Sequence, residues 1–163
     1  MKNFRTYLKS KIGYLEIAGN DEGVTSVNFV DEKKRSDAEL PAPLQKCRIE
    51  LDEYFRGKRK DFSIALKIEG TDFQKKVWRE LLKIPYGTTV SYKDVAEAVG
   101  NPKGVRAVGG AVGSNNFGII IPCHRVIGSS GDLTGFGSGL WRKEWLLNHE
   151  RRRSQSARRF RRQ

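Results

Sequence analysis

Apolar and polar residues alternate from residue 4 to residue 30. The runs "YLKSKIGYLEIAG" and "VTSVNFV" follow the two-residue period of half-buried strands, and "NDEG" between them is a hairpin-turn signal. "DEKKRSDAELPAP" breaks the pattern with charge and proline and reads as an exposed loop. The period then lengthens. Leu44, Cys47, Leu51 and Phe55 recur at helical spacing, with Gly57 placed to end the helix. Cys47 falls on that apolar stripe, where a thiol behaves as a small buried hydrophobe. "DFSIALKI" returns to strand character.

The second half changes character. "TDFQKKVWRELLKIP" opens with Thr71 and Gln74 at capping-box spacing. Phe73, Val77, Trp78, Leu81 and Leu82 fall on one face of this helix before Pro85 and Gly87 stop it. "SYKDVAEAVG" offers Ser91 as a cap, Val95, Ala96 and Val99 inward, and Gly100 as the end. "NPKGVRAVGGAVGSN" restarts a helix, with Asn101 as cap and Pro102 at the first helical position. Two short helices joined by Gly-Asn-Pro make a helix-turn-helix pattern. Val105, Val108 and Val112 form the inner face of the second helix, which leaves Arg106 pointing elsewhere. Gly109 and Gly110 leave a flat surface, open equally to a neighbouring helix and to an outside partner. After "IIIPCHRV", the Gly- and Ser-rich "GSSGDLTGFGSG" leads to a last amphipathic helix, "SGLWRKEWLLNHE". These changes set a domain boundary near residue 70, giving units 1–70 and 71–150 and a basic end, 151–163.

Charge sharpens the division. The chain carries +12, and "RRRSQSARRFRRQ" (151–163) supplies seven arginines and no acid, whereas residues 1–70 come to +2 and residues 71–150 to +3. Such a run reads as a disordered, solvated end that still attracts phosphate. No apolar stretch approaches the roughly 18 residues of a membrane span, and "MKNFRTYLKSK" lacks a signal-peptide core. The expectation is a soluble, cytoplasmic protein. A reducing compartment argues against pairing Cys47 with Cys123. With no C-x-x-C spacing, a structural zinc site would need both cysteines and both histidines at once, and no metal is expected.

The chemistry concentrates at residues 121–125, Ile-Pro-Cys-His-Arg. Cysteine is nucleophilic as thiolate, and a neighbouring base lowers the cost of forming it. Were Cys123 and His124 both extended, their side chains would leave opposite faces of a strand. Proton transfer then needs a bend, which Pro122 can supply, or an intervening water. The histidine also needs a carboxylate to orient it, and spacing alone selects none. By itself the dipeptide reads as an incidental core thiol.

Its context is specific. "IPCHRVI", with Asn115 eight residues before the cysteine and "SSG…GFGSGLWRKEWLLNHE" after it, resembles the active-site region of the O6-alkylguanine-DNA alkyltransferases. The similarity extends back through "FQKKVWRELLKIPYGTTVSYKDVAEAVGNPKGVRAVGGAVGSN", covering residues 73–150. The resemblance implies an α+β chain. A small N-terminal α/β domain with an antiparallel, RNase H-like sheet would precede a winged-helix-like helix-turn-helix domain. It implies single, stoichiometric transfer of the alkyl group of O6-alkylguanine, and of O4-alkylthymine, in double-stranded DNA to the protein's own cysteine. No cofactor is implied, and the protein would act as a monomer. Cys123 would be the acceptor, His124 its base through a water, and Glu150 the residue orienting His124. Asn115 would fix the active-site turn, and Tyr92 would protonate the departing guanine. Arg106 would fill the stack vacated by a base flipped through the minor groove. Lys93, Asn101 and Ser129 match DNA-contacting positions. Phe136, Ser138 and the Val126 backbone would wall the base pocket. The zinc ligands of vertebrate members are absent, and the arginine-rich end has no counterpart in the family pattern.

Three other readings compete. A lesion-binding relative would replace the acceptor cysteine, and Cys123 speaks against it. A helix-turn-helix regulator sensing alkylation would need an effector domain, for which no residues remain. A cysteine hydrolase using Cys123 and His124 would turn over repeatedly.

Overall fold

The computed structural model describes the backbone of residues 1–161 and the side chains of residues 1–154. The chain divides into two compact units, Met1–Glu69 with Asn116–Ile120, and Gly70–Asn115 with the chain from Ile121 onward.

The first unit is built on a three-stranded antiparallel sheet in the order β1 (Phe4–Ser10), β2 (Gly13–Asn20), β3 (Gly23–Val30). The run read as one strand before "NDEG" therefore holds two, turning at Lys11 and Ile12 with Gly13 at φ 115°. Glycine takes this left-handed backbone at little cost, which lets the hairpin close inside an unbroken alternating pattern. Register places Leu8 against Leu15 and Ile17 against Val27. Leu15, Ile17, Val24 and Val27 are sealed under α1 (Ala42–Phe55), whose Leu44, Cys47, Leu51 and Tyr54 are fully buried. Gly19 marks the closest approach: a Cβ there would strike the Gly23 carbonyl and lie 2.8 Å from the Leu44 side chain. "DFSIALKI" forms no strand. It meets β3 only at a Val24–Leu66 bridge, through Val24 N–H to the Ala65 carbonyl (2.9 Å) and Lys67 N–H to the Val24 carbonyl (2.8 Å). The chain later returns to this unit, where Val27 donates to Asn116 O (2.8 Å) and accepts from Gly118 N–H (2.9 Å).

In the second unit, α2 (Asp72–Leu81) starts with the expected reciprocal Thr71–Gln74 capping box. Val77, Trp78 and Leu81 are buried on its inner face, whereas Leu82 is exposed, because it falls beyond the last full turn. Trp78 Nε1 donates to the Ala111 carbonyl (2.9 Å), joining α2 to α4 (Val105–Gly113). α3 (Tyr92–Ala98) is capped by Ser91 and closes as a Schellman motif. Gly100 sits at φ 80°, its N–H donates to Glu97 O (3.1 Å), and Asn101 N–H donates to Ala96 O (2.9 Å).

Two expectations for the second helix of the pair fail. α4 begins at Val105 rather than Pro102, since Asn101–Gly104 closes a turn (Gly104 N–H to Asn101 O, 2.9 Å) and the Asn101 side chain occupies the space a Cβ at Gly104 would need. Of the expected inner face, Val108 and Val112 are buried, whereas Val105, now the first residue of the helix, is exposed.

Two-residue strands β4 (Val90–Ser91) and β5 (Val126–Ile127) pair in parallel, tying the start of α3 to the residues just after Cys-His-Arg. α5 (Leu140–Arg161) runs into the basic segment read as a disordered end. Side chains from residue 155 and residues 162–163 lie outside the described residues. Gly87, at φ 79°, fits against α5 so closely that a Cβ would collide with the Ser154 hydroxyl. Gly87→Ala should therefore cost about 1–3 kcal/mol, combining left-handed strain and steric conflict. Thermal unfolding should show a melting temperature several degrees lower; an unchanged one would disprove the fit.

Candidate active site

Local backbone geometry answers how Cys123 and His124 can serve one site. Between Gly118 and Arg125 the chain makes two tight three-residue turns and one turn of 3₁₀ helix. Ile120 N–H donates to Gly118 O (2.8 Å) around Ile119, whose φ is 70°. A β-branched residue in the left-handed region is strained, and the burial of the Ile119 side chain offsets that cost. Pro122 (φ −79°, ψ 64°) centres an inverse γ-turn closed by Cys123 N–H to Ile121 O (2.7 Å). The 3₁₀ turn Cys123–Arg125 follows, with Arg125 N–H donating to Pro122 O (3.0 Å). The expected bend at Pro122 is present. Consecutive side chains now diverge by about a third of a turn rather than half.

His124 is fully buried, and its Nε2 lies 2.6 Å from Glu150 Oε2. Glu150, on α5, is equally buried and accepts more: Arg125 Nε at 2.8 Å, Arg125 Nη2 at 3.1 Å and Gly87 N–H at 3.3 Å. Arg125 Nη1 donates to the Ile84 carbonyl (2.7 Å). Burial opposes ionisation of Glu150, but its contacts to His124 and Arg125 outweigh it and hold the carboxyl well below the usual range. Burial also keeps His124 below its ordinary value, against the pull of Glu150. The stable assignment is an ionised Glu150 balanced by Arg125, with a neutral His124 donating from Nε2. In that tautomer Nδ1 is a proton acceptor, and it has no hydrogen-bond partner among the described residues.

The Cys123 thiol is half-buried. Burial pushes its pKa up, opposed by a hydrogen bond from Asn115, the charge of Lys143, and the backbone N–H groups of Cys123 and His124. Asn115 Nδ2 also donates to Ile121 O (2.9 Å), pinning the turn that carries the thiol. Lys143 is fully buried, its Nζ donates to Thr134 O (2.7 Å), and it sits 5.8 Å from the centre of the Tyr92 ring. Tyr92 donates to the same carbonyl (3.1 Å). Cys47, by contrast, is sealed in the first unit with its thiol pushed up to about 12.

A cavity of about 660 Å³ opens beside these groups, lined by Tyr92, Gly109, Ser129, Thr134 and Phe136 among others. The lining residues do not include Cys123; burial, with a smaller contribution from the charge of a Cys123 thiolate, pushes the pKa of the Tyr92 hydroxyl up. Of the residues expected at the pocket, Phe136 lines it, whereas Val126 and Ser138 do not; Ser129, expected at the DNA, lines it as well. Val126 is buried in its pairing with Val90, and Ser138 O accepts from Arg142 Nη1 (2.7 Å). Arg106, Lys93 and Asn101 are exposed on the helix-turn-helix. At Gly109, Gly110 and Gly113 a Cβ would meet nothing within 4 Å, so packing within the chain does not require these glycines.

Sequence reading missed Arg125 and Lys143. The signal for Lys143 was available: Lys143, Leu146, Leu147 and Glu150 follow i, i+3, i+4, i+7 spacing, which puts two charges on a buried stripe.

Comparison with known proteins agrees across both units. Residues 3–68 match the ribonuclease-like domain, and residues 72–152 the DNA binding domain, of 6-O-methylguanine DNA methyltransferase. A methylated-DNA–protein-cysteine methyltransferase of Methanosarcina barkeri is 47% identical over 150 residues, spanning 88% of this chain and 94% of that protein. The crystal structure of the Mycobacterium tuberculosis O6-methylguanine methyltransferase superposes with a TM-score of 0.84 at 40% identity, over 93% of this chain and 94% of that one. The same organism's protein in complex with DNA gives 0.82 at 42% identity, over 90% of this chain and 92% of that one. With both halves matched in order and the similarity running almost end to end, the chain belongs to the 6-O-methylguanine DNA methyltransferase family.

Proposed function

We propose that the protein repairs DNA by accepting the alkyl group of O6-alkylguanine, and of O4-alkylthymine, onto Cys123, once per molecule and in the cytoplasm. The observation that carries this reading is the buried His124, anchored by Glu150 at Nε2 and next in sequence to the half-buried Cys123, with no hydrogen-bond partner at Nδ1 among the described residues. His124 accepts the Cys123 proton through a bridging water, and Glu150 stabilises the imidazolium that forms. The thiolate attacks the alkyl carbon, a C–S bond forms, and the carbon–O6 bond breaks with its electron pair going to guanine. Tyr92 supplies a proton to that leaving group. The carbon–sulfur bond of the thioether resists hydrolysis, so the alkylated protein is the end product. Asn115 and Lys143 hold the thiolate in place.

Reaching the lesion requires the nucleotide to leave the stack. α4 enters the minor groove, Arg106 occupies the vacated space, and Lys93, Asn101 and Ser129 meet the DNA beside it. Each helical glycine on α4 costs up to about 1 kcal/mol relative to alanine, with no intramolecular packing in return. A close external surface explains that pattern. Among the described residues, no helix is long and apolar enough to cross a membrane.

Incubation with an oligonucleotide containing O6-methylguanine should add one methyl group per protein, mapped to Cys123 by mass spectrometry. Repeated turnover, or methyl on Cys47, would refute the mechanism.

Replacing Glu150 with glutamine should slow transfer by about 10- to 100-fold, raise the apparent pKa of the Cys123 thiol and so move the pH–rate profile upward. The reason is that His124 loses the carboxylate that orients it and stabilises the imidazolium formed with the thiolate. The folded carboxyl titrates below its unfolded value of 4.5, so its stabilisation is complete above that pH and fades as pH falls through the folded value. Glu150→Gln should also lower stability at pH 7 by about 3–5 kcal/mol, since Arg125 is left buried without its counter-charge. An unaltered pH–rate profile would remove Glu150 from the relay.

On α4, Gly110→Ala should raise the melting temperature by a few degrees, gaining up to about 1 kcal/mol of helix propensity, while weakening duplex binding. Arg106→Ala should slow duplex repair on the order of 10- to 1,000-fold and leave reaction with the free base unchanged. Equal losses on both substrates would assign Arg106 to the pocket instead.

A further inference from the structure

The end of α5 carries a charge that the transfer site does not use. Residues 151–163 hold seven arginines and no acid, and the matched DNA binding domain stops at residue 152. Arg151, Arg152 and Arg153 are exposed, and the helical backbone continues to Arg161. The partial negative charge at a helix C-terminus amounts to about half a unit, too little to balance this run. The nearest acid in sequence, Glu150, is buried against Arg125 and His124. Seven positive charges within 13 residues, with no acid among them, leave the segment without an internal counter-charge, so it gains by meeting an anionic surface.

Its point of departure is fixed. Ser154 sits against Gly87, and Gly87 N–H donates to Glu150, so α5 leaves the second unit beside the turn that precedes β4. Gly87 and Lys93 are six residues apart, a separation of at most about 22 Å. Duplex DNA presents one negative charge per roughly 1.7 Å of axis. A duplex seated at Tyr92 and Lys93 therefore carries phosphates within reach of a helix leaving at Ser154.

We propose that the arginine-rich end of α5 is a second, sequence-independent DNA contact that engages duplex phosphates flanking the site held by α3 and α4. It rests on the duplex binding proposed above and adds retention on undamaged DNA. Charge matching favours a polyanion, and the short path to Lys93 favours the same duplex.

The test compares the full chain with a variant carrying glutamine at Arg151, Arg152, Arg158, Arg159 and Arg161; Arg153, which interacts with Tyr86, stays in place. Affinity for an undamaged duplex is measured across a salt series, with methyl transfer from free O6-methylguanine base as a check on folding and on the thiol. The salt slope should fall by about 0.9 for each phosphate that the variant no longer neutralises. Two such phosphates would shrink the drop in affinity between 50 and 200 mM salt by about 12-fold. The lysine version of the variant should restore the slope. An identical slope in the glutamine variant overturns the proposal, as does a changed slope that lysine fails to restore. Loss of binding to phosphatidylserine vesicles with an unchanged DNA slope also overturns it and assigns the surface to membranes. Absence of transfer in the unmodified chain would instead strike the proposed alkyl acceptor and leave the salt comparison readable.

Discussion

The buried carboxylate of Glu150 organises the second unit. It joins α5 to the 3₁₀ turn through His124 and Arg125, and to the turn before β4 through Gly87. An isolated buried carboxylate costs several kcal/mol to desolvate, so the position is tolerable only because Arg125 meets it with two nitrogens and a backbone N–H adds a third contact. The same contacts determine the chemistry. Arg125 supplies the counter-charge, which frees His124 to stay neutral, and a neutral His124 anchored at Nε2 has its other nitrogen available as a base. A cluster usually read as a stability element here sets a protonation state.

Around the thiol, opposing effects are held near balance. Burial disfavours the thiolate, while Asn115, Lys143 and backbone N–H groups favour it. Lys143 is itself disfavoured by burial and supported by Cys123. Shared donation by Lys143 and Tyr92 to the Thr134 carbonyl ties the cavity loop to the groups around the thiol. Cys47 shows the alternative outcome: the same side chain, sealed among aliphatic residues and near Glu50, stays protonated.

The glycines divide by the same reasoning. Gly19 and Gly87 are required by atoms of the chain, through a close approach and a left-handed backbone. Gly109, Gly110 and Gly113 are not, and each weakens α4. A helix that gives up stability along one exposed face, next to a cavity, is shaped for something outside the molecule.

Most of what was legible in the sequence is local. The Thr71–Gln74 box, the Ser91 cap and the Gly100 stop each involve residues within a few positions of one another, so their chemistry is written into short words. The apolar stripes located α1, α2 and α3, and the motif around Cys123 pointed to the family to which the chain belongs. Errors appeared where a local signal had competition. "DFSIALKI" has strand composition but finds only one bridge on β3, Leu82 lies past the end of its helix, and the Asn101 side chain delays the start of α4. Tertiary structure alone decided which charges lie inside. The contacts of Glu150 with Arg125 and His124 span 25 and 26 residues, and Lys143 meets Thr134 and Tyr92 from another helix. Periodicity reports which face of a helix is buried. The charge of a buried group depends on the partners that folding brings to it, and those come from distant parts of the chain.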